Sequence, residues 1–204
     1  IISADVLQSA SQMVGIDSSW SALDGTGVVV AVADSGLDNG VNNSAMHPDF
    51  RDHILDIKAF PISPGLQSLV NPPYNDGASD VSGHGTHVAG SVLGDGTESN
   101  GVIKGIAPEA QLYMQAVEVY ADYTTFAENN YWWAVDGYGL RGIPSDVNQL
   151  FDEAAANGSN IHTNSWGSDA DGEYTSTSMQ TDNASMNHPG MLILTSAGNN
   201  GHDG

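Results

Sequence analysis

The sequence predicts an α/β protein built on a mostly parallel sheet with helices on both faces. Apolar, strand-like runs alternate with helix-like segments along the 204 residues, which is typical of parallel strands joined by helical crossovers. Polar residues with catalytic potential also follow directly after two of the predicted strands. The predicted strands are 27–33, 111–119, 161–164 and 191–195, and the predicted helices are 84–93 and 145–157.

The first predicted strand, from Gly27 to Ala33, is a continuous apolar and β-branched run. Strands buried on both faces of a parallel sheet have this composition. Asp34 follows at the carboxyl end, where the side chains of open α/β sheets converge on a crevice. The run Asp34-Ser35-Gly36 also has the composition of a simple turn, so this motif alone leaves both interpretations open.

The first predicted helix begins at His84 and contains the small residues Gly85, Thr86, Ala89 and Gly90, which favours close packing on a neighbouring element. A histidine in its first turn can bind Asp34 through one ring nitrogen and act as a general base through the other. His84 and His87 could also be taken for a metal-binding pair. Zinc-binding helices usually place two histidines four residues apart with a glutamate between them; the spacing here is three without a glutamate, which disfavours a metal.

The second predicted helix covers 145–157. Ser145 is expected to cap its N-terminus, and Asn157-Gly158 to end it. Apolar residues recur at helical spacing between these limits, at Val147, Leu150, Phe151, Ala154 and Ala155.

Composition excludes several classes of function. The chain has no cysteine, which rules out a thiol nucleophile and a disulfide scaffold. A net charge of −21 with only four basic residues disfavours binding to nucleic acid, because phosphate contacts need basic side chains. The apolar runs are about seven residues long, against roughly twenty for a membrane span. We therefore expect neither nucleic acid nor a membrane as a partner.

Five motifs, in their order along the chain, resemble the subtilisin family of serine proteases and, within it, the oxidant-stable, high-alkaline bacterial branch. The motifs are 30–38, 84–93, 104–110, 161–167 and 195–201. An aspartate that precedes the histidine is the order found in subtilisin. The resemblance implies that residues 1–204 are the N-terminal portion of a peptidase S8 catalytic domain with a subtilisin-like three-layer sandwich fold.

The resemblance also implies roles for single residues. Asp34 and His84 match the catalytic pair, and Asn199 matches the side-chain amide donor of the oxyanion hole. Without the flanking motifs, Trp166 would be interpreted as core packing. The residues that match the family's substrate-binding segments are Ser165, Trp166, Gly167, Ser196, Ala197, Gly198 and, in a less sharply matching segment, Gly139.

The family's nucleophile, a serine in a Gly-Thr-Ser-Met-Ala setting, does not occur among the 204 residues. The run from Ser176 to Met179 is superficially similar, but it precedes Asn199 and lacks the flanking small residues, so we predict that it is not catalytic. We expect the chain to be truncated before the helix that bears the nucleophile. The remainder is then a noncovalently bound C-terminal fragment, separated by autolytic cleavage in the polar loop from Gly201 to Gly204, and this branch tends to carry a further β-rich domain.

The resemblance implies a secreted serine endopeptidase that hydrolyses protein or peptide substrates through an acyl-enzyme, with this chain alone incomplete. Because the sequence starts at Ile1 without a targeting segment, we interpret it as the mature form of an extracellular protein. One alternative is a catalytically inactive subtilase fragment that acts as a binding module. A nucleotide binder is disfavoured because the chain has neither a Gly-x-Gly-x-x-Gly run after the first strand nor a P-loop.

Two further features leave alternatives open. The acidic charge favours bound calcium, which prefers carboxylate and carbonyl oxygens, and Asp49 resembles a calcium ligand of many subtilisins, although a surface-loop aspartate is the other interpretation. The stretch from Tyr113 to Tyr138 carries many aromatic residues. We interpret this stretch as an inserted surface loop that either lines a substrate groove or packs on the body of the protein.

Overall fold

A parallel sheet runs through the part of the chain that the computed structural model describes, residues 23–168 and 170–199. Five strands form it in the order β2-β3-β1-β6-β7, and two others form an antiparallel hairpin, β4-β5. The strands are β1 (Val29–Asp34), β2 (Ile54–Ala59), β3 (Gln111–Ala116), β4 (Val119–Ala121), β5 (Gly137–Gly139), β6 (Ile161–Asn164) and β7 (Leu192–Thr195).

Helices cover both faces of this sheet, which confirms the predicted fold class. The helices are α1 (His84–Leu93), α2 (Thr125–Asn130), α3 (Asn148–Ala156) and α4 (Ser176–Asn187), and short 3₁₀ turns lie at Pro48–Phe50 and Gln67–Leu69. None of the helices in the described ranges has the length and apolarity needed to cross a lipid bilayer.

The central strand β1 is buried on both sides, and its two faces carry side chains of different size. Val30 and Val32 point into a cluster that includes Ala89 and Leu93 of α1. Ala31 and Ala33 face the other way, where Ala154 and Leu150 of α3 pack. Because alternate residues of a strand point to opposite faces, the run of apolar residues reflects burial on both sides.

The predicted helix over 145–157 begins later than expected. The structure places its first residue at Asn148, and Ser145 does not cap it, because the Ser145 hydroxyl contacts that of Ser63 instead. Val147 occupies the N-cap position without a side-chain cap, and the Asp146 carboxylate before it accepts a hydrogen bond from the Asn148 amide at 3.1 Å. The predicted end is confirmed, since Gly158 adopts the left-handed conformation after Asn157.

The predicted strand over 111–119 is in fact two strands in two different sheets. β3 ends at Ala116, and Val119 already belongs to the hairpin, where it pairs with Gly139. β2 and α4 were not predicted. β2 pairs with β3 at one side of the sheet, whereas α4 is polar over most of its surface and has Ala184 as its only buried residue.

The aromatic stretch 113–138 is not a single surface loop. Tyr113 lies in β3 and is buried, and Tyr123 packs into a small core beneath the hairpin and α2. Trp132, in contrast, is 93% exposed, and Phe126 is also exposed. The stretch therefore combines a core strand with a folded insertion whose outer aromatic rings face solvent.

Candidate active site

The carboxyl ends of three neighbouring strands meet at one edge of the sheet. Ala33 of β1 pairs with Asn164 of β6, and Asn164 pairs in turn with Thr195 of β7. The residues that follow these positions therefore leave the sheet side by side. They are Asp34, the segment 165–167 and the segment 196–199, which are the ones singled out from the sequence.

Asp34 and His84 are in direct contact at this edge. The Nδ1 atom of His84 lies 2.6 Å from Oδ1 of Asp34. Asp34 is 1% exposed, whereas the side chain of His84 is 54% exposed. Since an ionised carboxylate only accepts hydrogen bonds, Nδ1 carries the proton and the lone pair of the neutral ring lies on Nε2. The pair thus presents a basic nitrogen towards solvent.

A network around Asp80 places His84 at the start of α1. The Asp80 carboxylate accepts hydrogen bonds from the backbone amides of Gly83 and Thr86 and from the Ser35 hydroxyl, at 2.9, 2.7 and 2.7 Å. Ser35 also accepts from the Gly85 amide at 2.8 Å. Asp80 thereby satisfies amides that a helix N-terminus leaves unpaired. Sequence reasoning missed Asp80, although an acidic residue just before a helix is a recognised start signal.

Burial acts to raise the pKa of Asp80, but the hydrogen bonds from Thr86, Ser35 and Gly83 outweigh it and hold the pKa below its ordinary value. Glu118 shows the opposite effect. Burial raises its pKa, and the nearby charges of Asp80 and Asp34 add to the increase. The site therefore contains three acidic groups, Asp34, Asp80 and Glu118, that contact residues at or just before the start of α1.

Gly85 allows α1 to approach the turn after Asp34 closely. A Cβ atom at Gly85 would lie 2.4 Å from the carbonyl oxygen of Gly36 and 2.9 Å from its nitrogen. Both atoms are backbone and cannot move aside cheaply. The small residues at the start of this helix therefore let α1 approach closely enough for His84 to contact Asp34.

A cavity of about 700 Å³ lies at the carboxyl ends of β6 and β7, and neither Asp34 nor His84 is among its lining residues. Its lining includes Trp166, Gly167, Thr195 and Ser196. The Trp166 indole nitrogen donates to the carbonyl oxygen of Ala33 at 2.9 Å. The wall of the cavity is thus tied to the residue that directly precedes Asp34.

The family model described as the subtilase family matches residues 25–204. The chain belongs to the subtilase family. Among curated proteins it is 35% identical over 180 residues to subtilisin from Bacillus sp. (strain TA39), which covers 87% of this chain and 35% of that protein. It is 31% identical over 163 residues to the major intracellular serine protease of Bacillus subtilis (strain 168), covering 74% of this chain and 45% of that protein.

Solved structures show the same fold. Fervidolysin from Fervidobacterium pennivorans superposes with a TM-score of 0.54 at 24% identity, over 90% of this chain and 23% of that structure. The prenylagaramide maturation protease PagA gives 0.53 at 23% identity, over 92% and 52%. This subtilase chain therefore spans between about a quarter and a half of the length of these relatives.

Other predicted substrate-binding residues lie outside the cavity lining. Gly139 is in β5 of the hairpin, opposite Val119. Ala197, Gly198 and Asn199 follow β7 and are exposed to solvent. They nevertheless continue from the strand end that neighbours β6, so they leave the sheet at the same edge as the Asp34–His84 pair.

The serine-rich run from Ser176 to Met179 has a structural role in this subtilase. It forms the first turn of α4. The Thr175 side chain accepts a hydrogen bond from the Ser178 amide, and the Ser178 hydroxyl accepts one from the Thr175 amide. This reciprocal arrangement is a capping box. The run is thus explained by its position at a helix N-terminus.

Asp49 binds backbone groups of a neighbouring loop. Its Oδ1 accepts from the Glu98 amide at 2.7 Å, and its carbonyl oxygen accepts from the Asp95 amide at 3.3 Å. Within the part of the chain that the structure describes, no group of three or more His, Asp or Glu side chains could hold a metal ion.

Proposed function

We propose that this chain is the part of a serine endopeptidase that supplies the aspartate, the histidine and the oxyanion amide of the active site. The observation that carries the proposal is the 2.6 Å contact between His84 Nδ1 and Asp34 Oδ1 at the carboxyl edge of the sheet. Membership of the subtilase family supports it, and so does the presence of serine proteases among the relatives.

In the proposed reaction, a serine hydroxyl attacks the carbonyl carbon of the scissile peptide bond while His84 Nε2 accepts the hydroxyl proton. The buried carboxylate of Asp34 holds the ring in the required tautomer and stabilises the imidazolium that forms. The amide of Asn199 donates a hydrogen bond to the oxyanion, an interaction worth roughly 2.7 to 4 kcal/mol in such sites. The C–N bond then breaks, His84 returns the proton to the leaving amine, and water hydrolyses the acyl-enzyme.

The nucleophilic serine in this proposal lies outside the 204 residues, on the remainder of the catalytic domain. The relatives are about two to four times longer than their matched regions, which supports such a remainder. We propose that it is held noncovalently by this chain, as a separate C-terminal fragment. Denaturing electrophoresis with intact mass tests this: an active preparation should contain a second polypeptide, whereas activity with this chain as the only species would contradict it.

Labelling with a fluorophosphonate probe tests the endopeptidase proposal directly. The purified protein should become labelled on a serine outside this chain and should cleave an unstructured protein such as casein, and His84→Ala should abolish both. A protein that neither reacts with the probe nor cleaves casein would instead be a binding module without catalytic duty. The intact Asp34–His84 pair favours the enzyme over that second candidate.

Secretion and calcium binding are proposals of their own. A net charge of −21 favours both a salty medium and bound cations. We expect EGTA to lower the melting temperature of the full protein by several degrees, and added calcium to restore it, because a ligand that binds only the folded state stabilises it. Asp49→Asn tests the ligand assignment: an unchanged response to calcium in this variant would place the site elsewhere.

A further inference from the structure

A chain of buried side-chain hydrogen bonds crosses the sheet on the face covered by α3. Gln115 of β3 donates to the carbonyl oxygen of Leu150 at 3.0 Å. Its other amide atom, Oε1, lies 2.9 Å from Nε2 of His162 in β6, and the Nδ1 atom of that ring lies 3.1 Å from Nδ2 of Asn164. Asn164 then donates to the carbonyl oxygen of Leu194 in β7 at 3.2 Å. Four structural elements are linked in this way.

Backbone carbonyls at both ends fix the direction of every bond in this chain. Since a carbonyl can only accept, Gln115 and Asn164 must point their NH₂ groups towards Leu150 and Leu194. His162 is therefore protonated at Nε2 and accepts at Nδ1. Burial lowers the pKa of His162 to about 4, which is consistent with a neutral ring held in one tautomer.

Small residues in the central strand make room for these contacts. Ala33 is the register partner of both Gln115 and Asn164, and Ala31 is the partner of His162. Both alanines are fully buried, and a methyl group leaves space above β1 in which side chains of β3 and β6 can meet. The network is thus built into the sequence pattern of three adjacent strands.

Asn164 occupies the critical place in the network. It is 3% exposed, and its Oδ1 has no hydrogen-bond partner, which costs free energy that an apolar residue would not lose. Its NH₂ group binds Leu194, and its backbone oxygen accepts from the Ser196 amide at 3.0 Å. It therefore clamps β7 from both sides of Thr195, just before the segment that ends in Asn199.

We infer that Asn164, held in orientation by His162 and Gln115, is a positioning residue that sets the place of the segment from Ser196 to Asn199. This inference rests on the proposed function, because its consequence is the alignment of the Asn199 amide with the oxyanion. Among the described residues, β7 pairs with β6 only, Leu192 and Leu194 are exposed, and Ile193 packs against Phe151 and Ala184. In the part of the chain that the structure describes, the bond from Asn164 is thus the side-chain hydrogen bond that holds this strand end.

The test uses the complete protease with a peptide p-nitroanilide substrate. Asn164→Leu keeps the size of the side chain and removes its donor, so we expect kcat to fall at least roughly tenfold while KM changes less than about threefold, because a misplacement of about 1 Å can cost roughly 100-fold in rate. Gln115→Met should shift kcat in the same direction by a smaller factor. The control is Met114→Ala, which removes buried volume on the opposite face of β3. It should lower the melting temperature without changing kcat.

A double-mutant cycle separates positioning from a purely structural role. Asn199→Ala should lower kcat by about 100- to 1,000-fold, and in that background Asn164→Leu should lower it by less than a further factor of about three, because residues that act through one another are not additive. If the loss of kcat in the double variant equalled the product of the two single losses, the inference would be overturned. An unchanged kcat in the Asn164→Leu variant would also overturn it.

Amide hydrogen exchange keeps the inference separate from the proposed function. In Asn164→Leu, amides of 192–199 should exchange at least about tenfold faster, with α1 unchanged. If the wild-type protein proves inactive but this exchange effect is found, the proposed function fails and the positioning role stands. If the wild-type is active and neither exchange nor kcat responds, only the positioning role fails.

Discussion

The contact between His84 and Asp34 depends on which atoms of the two side chains carry protons. A carboxylate at Asp34 can only accept, so it selects the ring tautomer with its lone pair on Nε2. The Ser35 amide donates to Oδ1 of Asp34 at 2.7 Å. This oxygen therefore accepts hydrogen bonds from both the Ser35 amide and His84 Nδ1. Any replacement at Asp34 that can donate a proton would disturb this arrangement.

Asp34→Asn is therefore expected to lower kcat of the complete protease by about 10⁴-fold, the magnitude seen for the same change in another Ser-His-Asp protease. The amide is nearly isosteric, but its NH₂ group favours the wrong tautomer of His84. Steady-state hydrolysis of a peptide substrate measures the effect, and circular dichroism should show an unchanged fold. A folded variant with kcat within tenfold of wild type would argue against His84 as the base.

At the scale of elements, α1 must begin at a fixed place relative to the end of β1. Gly85→Ala would put a methyl group against the backbone of Gly36, forcing the helix away from the turn and separating His84 from Asp34. We expect kcat to fall by roughly 100-fold or more, together with a lower melting temperature. Both quantities are measured on the complete protease.

Gly90→Ala is the matched control in the same helix. A Cβ atom there would meet only the Phe50 ring at 3.8 Å, an ordinary contact. Because alanine is a better helix former than glycine by about 1 kcal/mol, this variant should be slightly more stable and fully active. If both glycine variants lost activity alike, the close approach at Gly85 would not be the reason.

Asp80 controls the same helix through its charge. Its pKa is below the ordinary value in the folded state, so its stabilisation is fully present above the unfolded-state pKa, about 3.9, and is lost as the pH falls through the folded-state pKa. Asp80→Ala should cost about 1–2 kcal/mol of unfolding free energy near neutral pH. Urea unfolding from pH 7 to 3 should show this difference shrinking; a difference that stayed constant would contradict a role for the carboxylate charge.

The elements that could be predicted from the sequence are those whose apolar residues follow a clear pattern. β1 and α1 were predicted within two residues, and the pairing of His84 with Asp34 followed from their positions. β2 was missed because charged Asp56 and Lys58 interrupt its apolar residues. α4 was missed because it buries almost nothing, so only its capping residues mark it. The role of Asn164 depends on contacts across three strands, which no local pattern contains.

At the scale of the whole molecule, acidic residues greatly outnumber basic ones. The chain has 25 acidic residues against four basic ones. Among the basic residues, Lys58 pairs with Glu153 and Arg51 donates to the carbonyl oxygen of Met46. Most carboxylates therefore have no lysine or arginine to pair with, and their mutual repulsion acts against the compact state.

We expect the melting temperature of the complete protein to rise with NaCl, most steeply at low concentration. The screening length falls from about 30 Å at 0.01 M to about 8 Å at 0.15 M and about 3 Å at 1 M, so most of the repulsion is removed early. Differential scanning calorimetry in EGTA measures this without a contribution from calcium. A rise that is linear up to 1 M salt would indicate strengthened apolar burial instead, and no rise at all would mean that the net charge of −21 does not limit the stability of the fold.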